Sequence, residues 1–437
     1  MLLAATIHRR VLVVLPLLAA LVVSLLGPAV TLADGGTTLT PIDQSTATTF
    51  FGRGWGHGVG MSQYGARGRA LAGQTSSEIL AHYYAGTTLG STDPAGPVRI
   101  VVLSGFAATA GAPAILYGRR GDWTIDGIAK TFPADAKLRL WPIAAGSTTW
   151  NLTITSPIGT ILHRATVRGV VAMRPAASAT RLQVYSRPSW YDLYRGVLRI
   201  SLTTRLRAID ELGLDAYLRG VVPAEMPASW PSEALNAQAI AARSYAARRL
   251  RPGISTFDVY DDSRAQVYLG VRGEKAATNA AIATTAGIVL MSGTSIANTL
   301  FHSTGGGATE NNENVFVSPV GAIVAGPVSY LRGSPDRAPD GTSYDAGAPF
   351  ATWQTAAYTA DQLSAIFADD VRTNVGSLTG LDLSNRGVSG RLISVTLVGS
   401  LGSKTVSGDV FRSIFNAWRP LTDPQLRSSL FDTQPIP

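Results

Sequence analysis

One acidic residue, Glu225, stands between Pro223 and Pro227, with Val222, Ala224, Met226 and Trp230 around it. An apolar and conformationally stiff setting of this kind raises a carboxyl pKa. A glutamic acid kept protonated near neutral pH can hand its proton to a glycosidic oxygen. An exposed loop glutamate is the other reading of the same residues. A helix beginning a few residues downstream would pull the other way, because a helix N-terminus favours the ionised form. The second candidate is the block from Gly52 to Gly68, which has seven glycines in 17 positions. It has neither the Gly-Lys-Ser/Thr of a phosphate loop nor the spacing of a dinucleotide fingerprint. Trp55, His57, Met61, Gln63 and Tyr64 are interleaved with the glycines. Side chains of that size fit a folded loop that brings backbone close to a ligand, or a structural turn, better than a flexible linker.

Other chemistries find little support. The five histidines, at 8, 57, 82, 163 and 302, form no pair at a metal-ligand spacing, and no cofactor motif is present. No G-x-S-x-G elbow marks a nucleophilic serine. The absence of cysteine excludes disulfides, thiolate nucleophiles and cysteine metal sites together. Lys plus Arg exceeds Asp plus Glu by 8 in 437 residues, so an extended partner would sooner be anionic than cationic, although charge for solubility is the simpler explanation of such a surplus. No dense basic run or recognition block points to nucleic acid.

The elements that must position these residues are legible as patterns. His8, Arg9 and Arg10 precede an apolar run from Val11 to Leu26, and Thr31-Leu32-Ala33 offers small residues for cleavage. Residues 1–33 therefore read as a signal peptide, with a retained anchor as the alternative and no membrane span after cleavage. Residues 34–49 read as an exposed lead-in, and 34–94 as a glycine-rich segment joining the core. From 95 to 189 short runs rich in β-branched and aromatic residues, separated by Gly, Pro, Ser and Asp, predict a mainly antiparallel β domain. Its Trp123, Trp141 and Trp150 could stack on sugars or pack in a sheet. Residues 190–437 read as the catalytic core. Within it, Leu235, Ala239, Ala242 and Ala246 share one helical face. That helix has Pro231 and Glu233 at its start and Pro252-Gly253 beyond its end, and its alanine stripe predicts burial against a sheet. Further helices are expected at 76–84, at 275–286 and after Thr359, and a closing hairpin near 388–411. The fold class is α+β, with a mixed sheet-and-helix core and an inserted antiparallel β domain.

The run VVPAEMPASWPSEALNAQAIAARSYA resembles the central signature of the stage II sporulation protein D and amidase enhancer family. GWGHGVGMSQYGA resembles that family's Gly-His-Gly motif, and DVYDDSRAQVYLG, FHSTGGGATENNENV and SGRLISVTLVG resemble other segments of it. The resemblance implies an exported, cell-wall-associated lytic transglycosylase. Such an enzyme cuts between N-acetylmuramic acid and N-acetylglucosamine in peptide-free glycan strands and leaves a 1,6-anhydro end. It places the catalytic glutamate on Glu225 and substrate contacts on Gln238, Arg243 and Tyr245, with His57, Gln63 and Ser303 as further candidates. A non-catalytic enhancer of a cell-wall amidase is the alternative, and a muramidase pairing Glu225 with Asp261 or Asp262 is a third. Family members with a Cys, His, Cys cluster have Tyr260, Arg264 and Ala265 at those positions here, so no metal is expected. The Gly-His-Gly motif usually follows the closing strands, whereas here it precedes the catalytic region. This looks like a circular permutation, and it predicts that residues 50–64 pack beside the strands near 391–412 and face Glu225.

Overall fold

The computed structural model describes residues 39–436; the expected signal peptide lies outside them. The architecture is α+β. A twelve-stranded sheet carries the β-rich region. Its main path runs from Leu193–Tyr194 and Arg181–Gln183 through Ala114–Arg119, Lys137–Pro142, Thr149–Thr155 and Ile161–Pro175. It continues through Val197–Leu202, Leu206–Gly213 and Pro97–Phe106 to Val259–Tyr260. Neighbours on this path are antiparallel except the last pair, which is parallel. The strands of 95–189 thus continue directly into those of 197–213. Trp123 and Trp150 are fully buried in the shared core, and Trp141 is half-buried against it.

Four helices carry the centre: α1 (Gln63–Leu71), α2 (Ser76–Tyr83), α3 (Leu214–Glu225) and α4 (Ser232–Ala247). In α3, residues Leu214, Tyr217, Leu218, Val221 and Val222 fall at helical spacing and are all fully buried. Pro223 lies in its last turn and helps to end it. Every residue of α4 from Ala234 to Ala246 is buried. This helix packs mainly against α1, α2, α3 and the Ala276–Thr284 helix, with only the short Ile288–Ser292 strand beside it. The expected sheet partner is therefore largely replaced by helices, whose backbones the alanine stripe lets come close. Glu233 at the start of α4 accepts the Ser76 N–H at 2.6 Å and so satisfies the first turn of α2 as well. None of the helices of the described residues is long and apolar enough to cross a membrane.

A second core lies under the Leu378–Asp382, Ser394–Gly399 and Gly402–Ser407 strands and the Gly408–Trp418 helix. The closing hairpin is there as expected, but the lead-in is not free. Leu39–Pro41 pairs with Leu378–Asp382, and Thr48–Arg53 pairs with both Thr352–Tyr358 and Phe431–Asp432. Phe50 stands edge-on to Phe411, Phe415 and Phe431 at 5.4–6.1 Å. The two ends of the described chain meet, as expected from the sequence.

A buried ion pair fixes α1 and α2 to the long loop that follows residue 316. Arg69 holds Asp336 at 2.9 Å, and Tyr83 donates to the other carboxylate oxygen at 2.6 Å. Replacing Arg69 with Met would leave the fully buried Asp336 charge without its cation. The expected cost is about 3–5 kcal/mol, read as a lower urea midpoint with an unchanged m-value.

Candidate functional site

Glu225 is the last residue of α3, and its half-buried carboxyl faces a cleft of about 570 Å³. Burial pushes its pKa above the ordinary value. The Gln63 side chain and the Val267 N–H both donate to it and act against that shift. The Gln63 contact is 3.3 Å long. Glu225 closes α3, whose C-terminal end carries partial negative charge, and a negative end favours a protonated acid beside it.

The glycine-rich block supplies the facing wall. Trp55 exchanges backbone hydrogen bonds with Thr304 at 2.9 and 3.0 Å, and Met61–Ser62 pairs in parallel with Phe301–His302. Glycine is required where the chains pass. Gly58, at φ +85°, would place a Cβ 2.4 Å from the Arg391 guanidinium, and Gly60, at φ +70°, would place one 2.1 Å from the Leu300 carbonyl oxygen. Beyond Gly60 the block is helix rather than loop. Ser62 caps α1 by accepting the Gly65 N–H, and it also accepts the Gly305 N–H, both at 3.1 Å. Gln63 opens α1 and thereby reaches Glu225.

Gln63, Tyr245, His57 and Ser303 line the cleft together with Glu225. His57 accepts the Val59 N–H on Nδ1 at 3.0 Å. Burial, reinforced by Arg391, holds its pKa down to about 4, so the ring is neutral at physiological pH. Tyr245 has its ring under the Arg249 guanidinium at 3.2 Å. Two expected contacts lie elsewhere. Arg243 is fully buried, and its guanidinium is spent on Asp215 at 2.6 Å and on the Ile282 and Ile288 carbonyls. It pins α3, α4 and the Ala276–Thr284 helix together instead of meeting a ligand. Gln238 is also fully buried and outside the cleft lining, with no hydrogen-bond partner on its amide.

Trp55 of the glycine-rich block also lines the walls, as do Ser263, Phe301, His302 and Phe316, which were not site candidates from sequence. Alternation with glycine was a usable signal for Trp55, which is 43% exposed at the cleft. The segment from Asp261 to Tyr268 is held at both ends. The half-buried Asp261 carboxylate pairs with Arg187, and the Tyr268 hydroxyl donates to Asp210 at 2.8 Å. This places Val267 on Glu225, and Arg187 comes from the β-rich region. Asp262 pairs with Arg264 at 2.7 Å, and Arg264 stacks on Tyr260 at 3.6 Å. Neither Asp261 nor Asp262 lines the cleft. Among the described residues no cluster of three or more potential metal ligands occurs.

The family model described as stage II sporulation protein matches residues 203–291, the stretch that contains α3, Glu225 and α4. An uncharacterized protein of Brachyspira hyodysenteriae is 32% identical over 127 residues, 29% of this chain and 34% of that one. The amidase enhancer of Bacillus subtilis is 63% identical over 43 residues, 10% of this chain and 6% of its own. Stage II sporulation protein D of Bacillus subtilis is 51% identical over 51 residues, 12% and 14% of the two chains. No solved structure matches the chain. Through this central stretch the chain is similar to the stage II sporulation protein D and amidase enhancer family. The matches span about a third or less of the length of these relatives.

Two outcomes follow for the carboxyl. Removing the Gln63 donor as Gln63→Leu should raise the Glu225 pKa further, read by carbon-detected NMR titration. Because folding raises that pKa, Glu225 costs stability progressively as pH rises from the unfolded value near 4.5 through the folded one. Glu225→Gln should therefore melt above the parent chain at neutral pH, and the gap should close below pH 4.5.

Proposed function

We propose that the protein is an exported lytic transglycosylase of peptidoglycan, with Glu225 acting first as general acid and then as general base. The observation that carries this reading is a single raised-pKa carboxyl in the cleft, with no second carboxylate among the described residues lining it. Ordinary glycosidases need two, one of them to bear the sugar or activate water. One suffices when the nucleophile is the sugar's own 6-hydroxyl. Glu225 protonates the departing glycosidic oxygen, then takes the hydroxyl proton as that oxygen closes on the anomeric carbon. The proton count balances and no water enters. Neutral His57 can hydrogen-bond to hydroxyls without adding charge. Trp55 and Phe316 offer ring faces for stacking on sugars.

The similarity to stage II sporulation protein D and to an amidase enhancer supports a role in the cell wall. The similarity to an amidase enhancer, 63% identical over the shared stretch, favours one second reading: a wall-binding protein that stimulates a separate amidase without cutting glycan itself.

Incubation with peptide-free glycan and mass spectrometry of the released fragments separates the two. The parent chain should yield anhydro ends, one water lighter than hydrolytic ends, and Glu225→Gln should lower the rate by about 10²–10⁴-fold. The rate should fall as pH rises through the elevated Glu225 pKa, because the acid must begin protonated. Fragment release unaltered by Glu225→Gln would overturn the assignment, and glycan binding without new ends would favour the enhancer.

A further inference from the structure

The basic surplus of the chain is not spread over it. Residues 95–189 hold eleven Lys and Arg against three Asp and no Glu, an excess of 8, which equals the excess of the whole protein. The remainder holds 26 residues of each sign. Strand register puts much of this charge on one face. Ile115, Arg139, Thr153 and Arg164 stand in a row across four strands, while the adjoining row of Leu116, Leu138 and Ile154 points into the core. Lys137 and Arg168 lie on the same outer face, opposite Tyr117 and Thr149.

Arg164 and Arg168 are exposed, and none of Lys137, Arg139, Arg164 and Arg168 forms an ion pair among the described residues. The nearby acid, Asp135, is already taken by Arg119 at 2.7 Å. Aromatic rings are set among the cations. Arg119 stacks on Tyr117 at 3.9 Å, Tyr117 meets the exposed Tyr185 at 5.7 Å, and Arg139 lies 5.5 Å from the Trp141 ring. A solvated sheet face ordinarily mixes both signs of charge. Four uncompensated cations, with aromatic rings between them, complement a polymer that has both sugar rings and carboxylates.

We propose that this outer face is a second glycan-binding surface, which holds peptide-stripped strands through the lactyl carboxylate of each muramic acid. The occupant rests on the wall-glycan reading above, whereas the test reads binding and not cleavage, so the two can fail separately. The full chain carrying Glu225→Gln is titrated with peptide-free glycan by a sedimentation assay. The combined Arg139→Gln, Arg164→Gln and Arg168→Gln changes should weaken binding roughly tenfold, since each exposed guanidinium–carboxylate contact contributes modestly, with the melting midpoint unchanged. If that variant melts early, Arg164→Glu alone, at an exposed strand position, serves in its place and should lower affinity in the same direction. Glycan whose carboxyls have been reduced to alcohols should bind the parent weakly and the arginine variants no worse than intact glycan does. Equal affinity of parent and variants for intact glycan would overturn the proposal. So would preferential binding of a phosphodiester wall polymer at matched charge.

Discussion

A carboxyl half out of water at the negative end of a helix is the constraint on which this structure turns. Burial and the α3 terminus both disfavour its ionised form, so the fold has to hold the group in place by other means. It does so with two donors on separate scaffolds. Gln63 is fixed by the cap that opens α1, and Val267 sits in a segment tied at one end to Arg187 and at the other to Asp210. The β-rich region thus bears on the carboxyl through the Arg187 guanidinium, and the glycine-rich block, besides lining the cleft, donates to that carboxyl through the Gln63 amide.

The close passage of two backbones sets the rest of the geometry. Residues 54–60 run against the Leu300–Thr304 segment at distances that exclude a Cβ at several points, and Arg391 fills the space beneath Gly58. The buried guanidinium keeps the nearby histidines neutral in addition to their burial. Glu225 is therefore the one carboxyl among the described residues lining the cleft, and the walls around it are aromatic, aliphatic or neutral polar.

Much of this was legible because local rules and tertiary context agreed. The α4 helix announced itself through its alanine face and its flanking prolines, and Thr359 does cap the helix after it. Glu225 stood out by its setting, and Gln63, His57, Tyr245 and Ser303 do converge on it. Where the sequence misled, a competing signal was stronger. The apolar spacing of α3 was present, but Gly220 and Pro223 interrupt it, and no helix was expected there. Seven glycines likewise hid the start of α1. Arg243 lies in the signature that suggested ligand contact, yet nothing local shows that its partners, Asp215 and the Ile282 and Ile288 carbonyls, come from three different elements. The packing of the lead-in depended on strands more than 300 residues away, which no local pattern can report.

That last pairing bears on how the molecule comes to exist. Phe50 and Phe431 occupy one aromatic cluster, and the strand that leads into the glycine-rich wall is hydrogen-bonded to Phe431–Asp432. Contacts of such large sequence separation form late, because a long loop must close before they repay its entropy. A partly synthesised chain has α3 and α4 but lacks the support for the wall opposite them. Assembly order alone would then keep the cleft incomplete until the final strand has arrived.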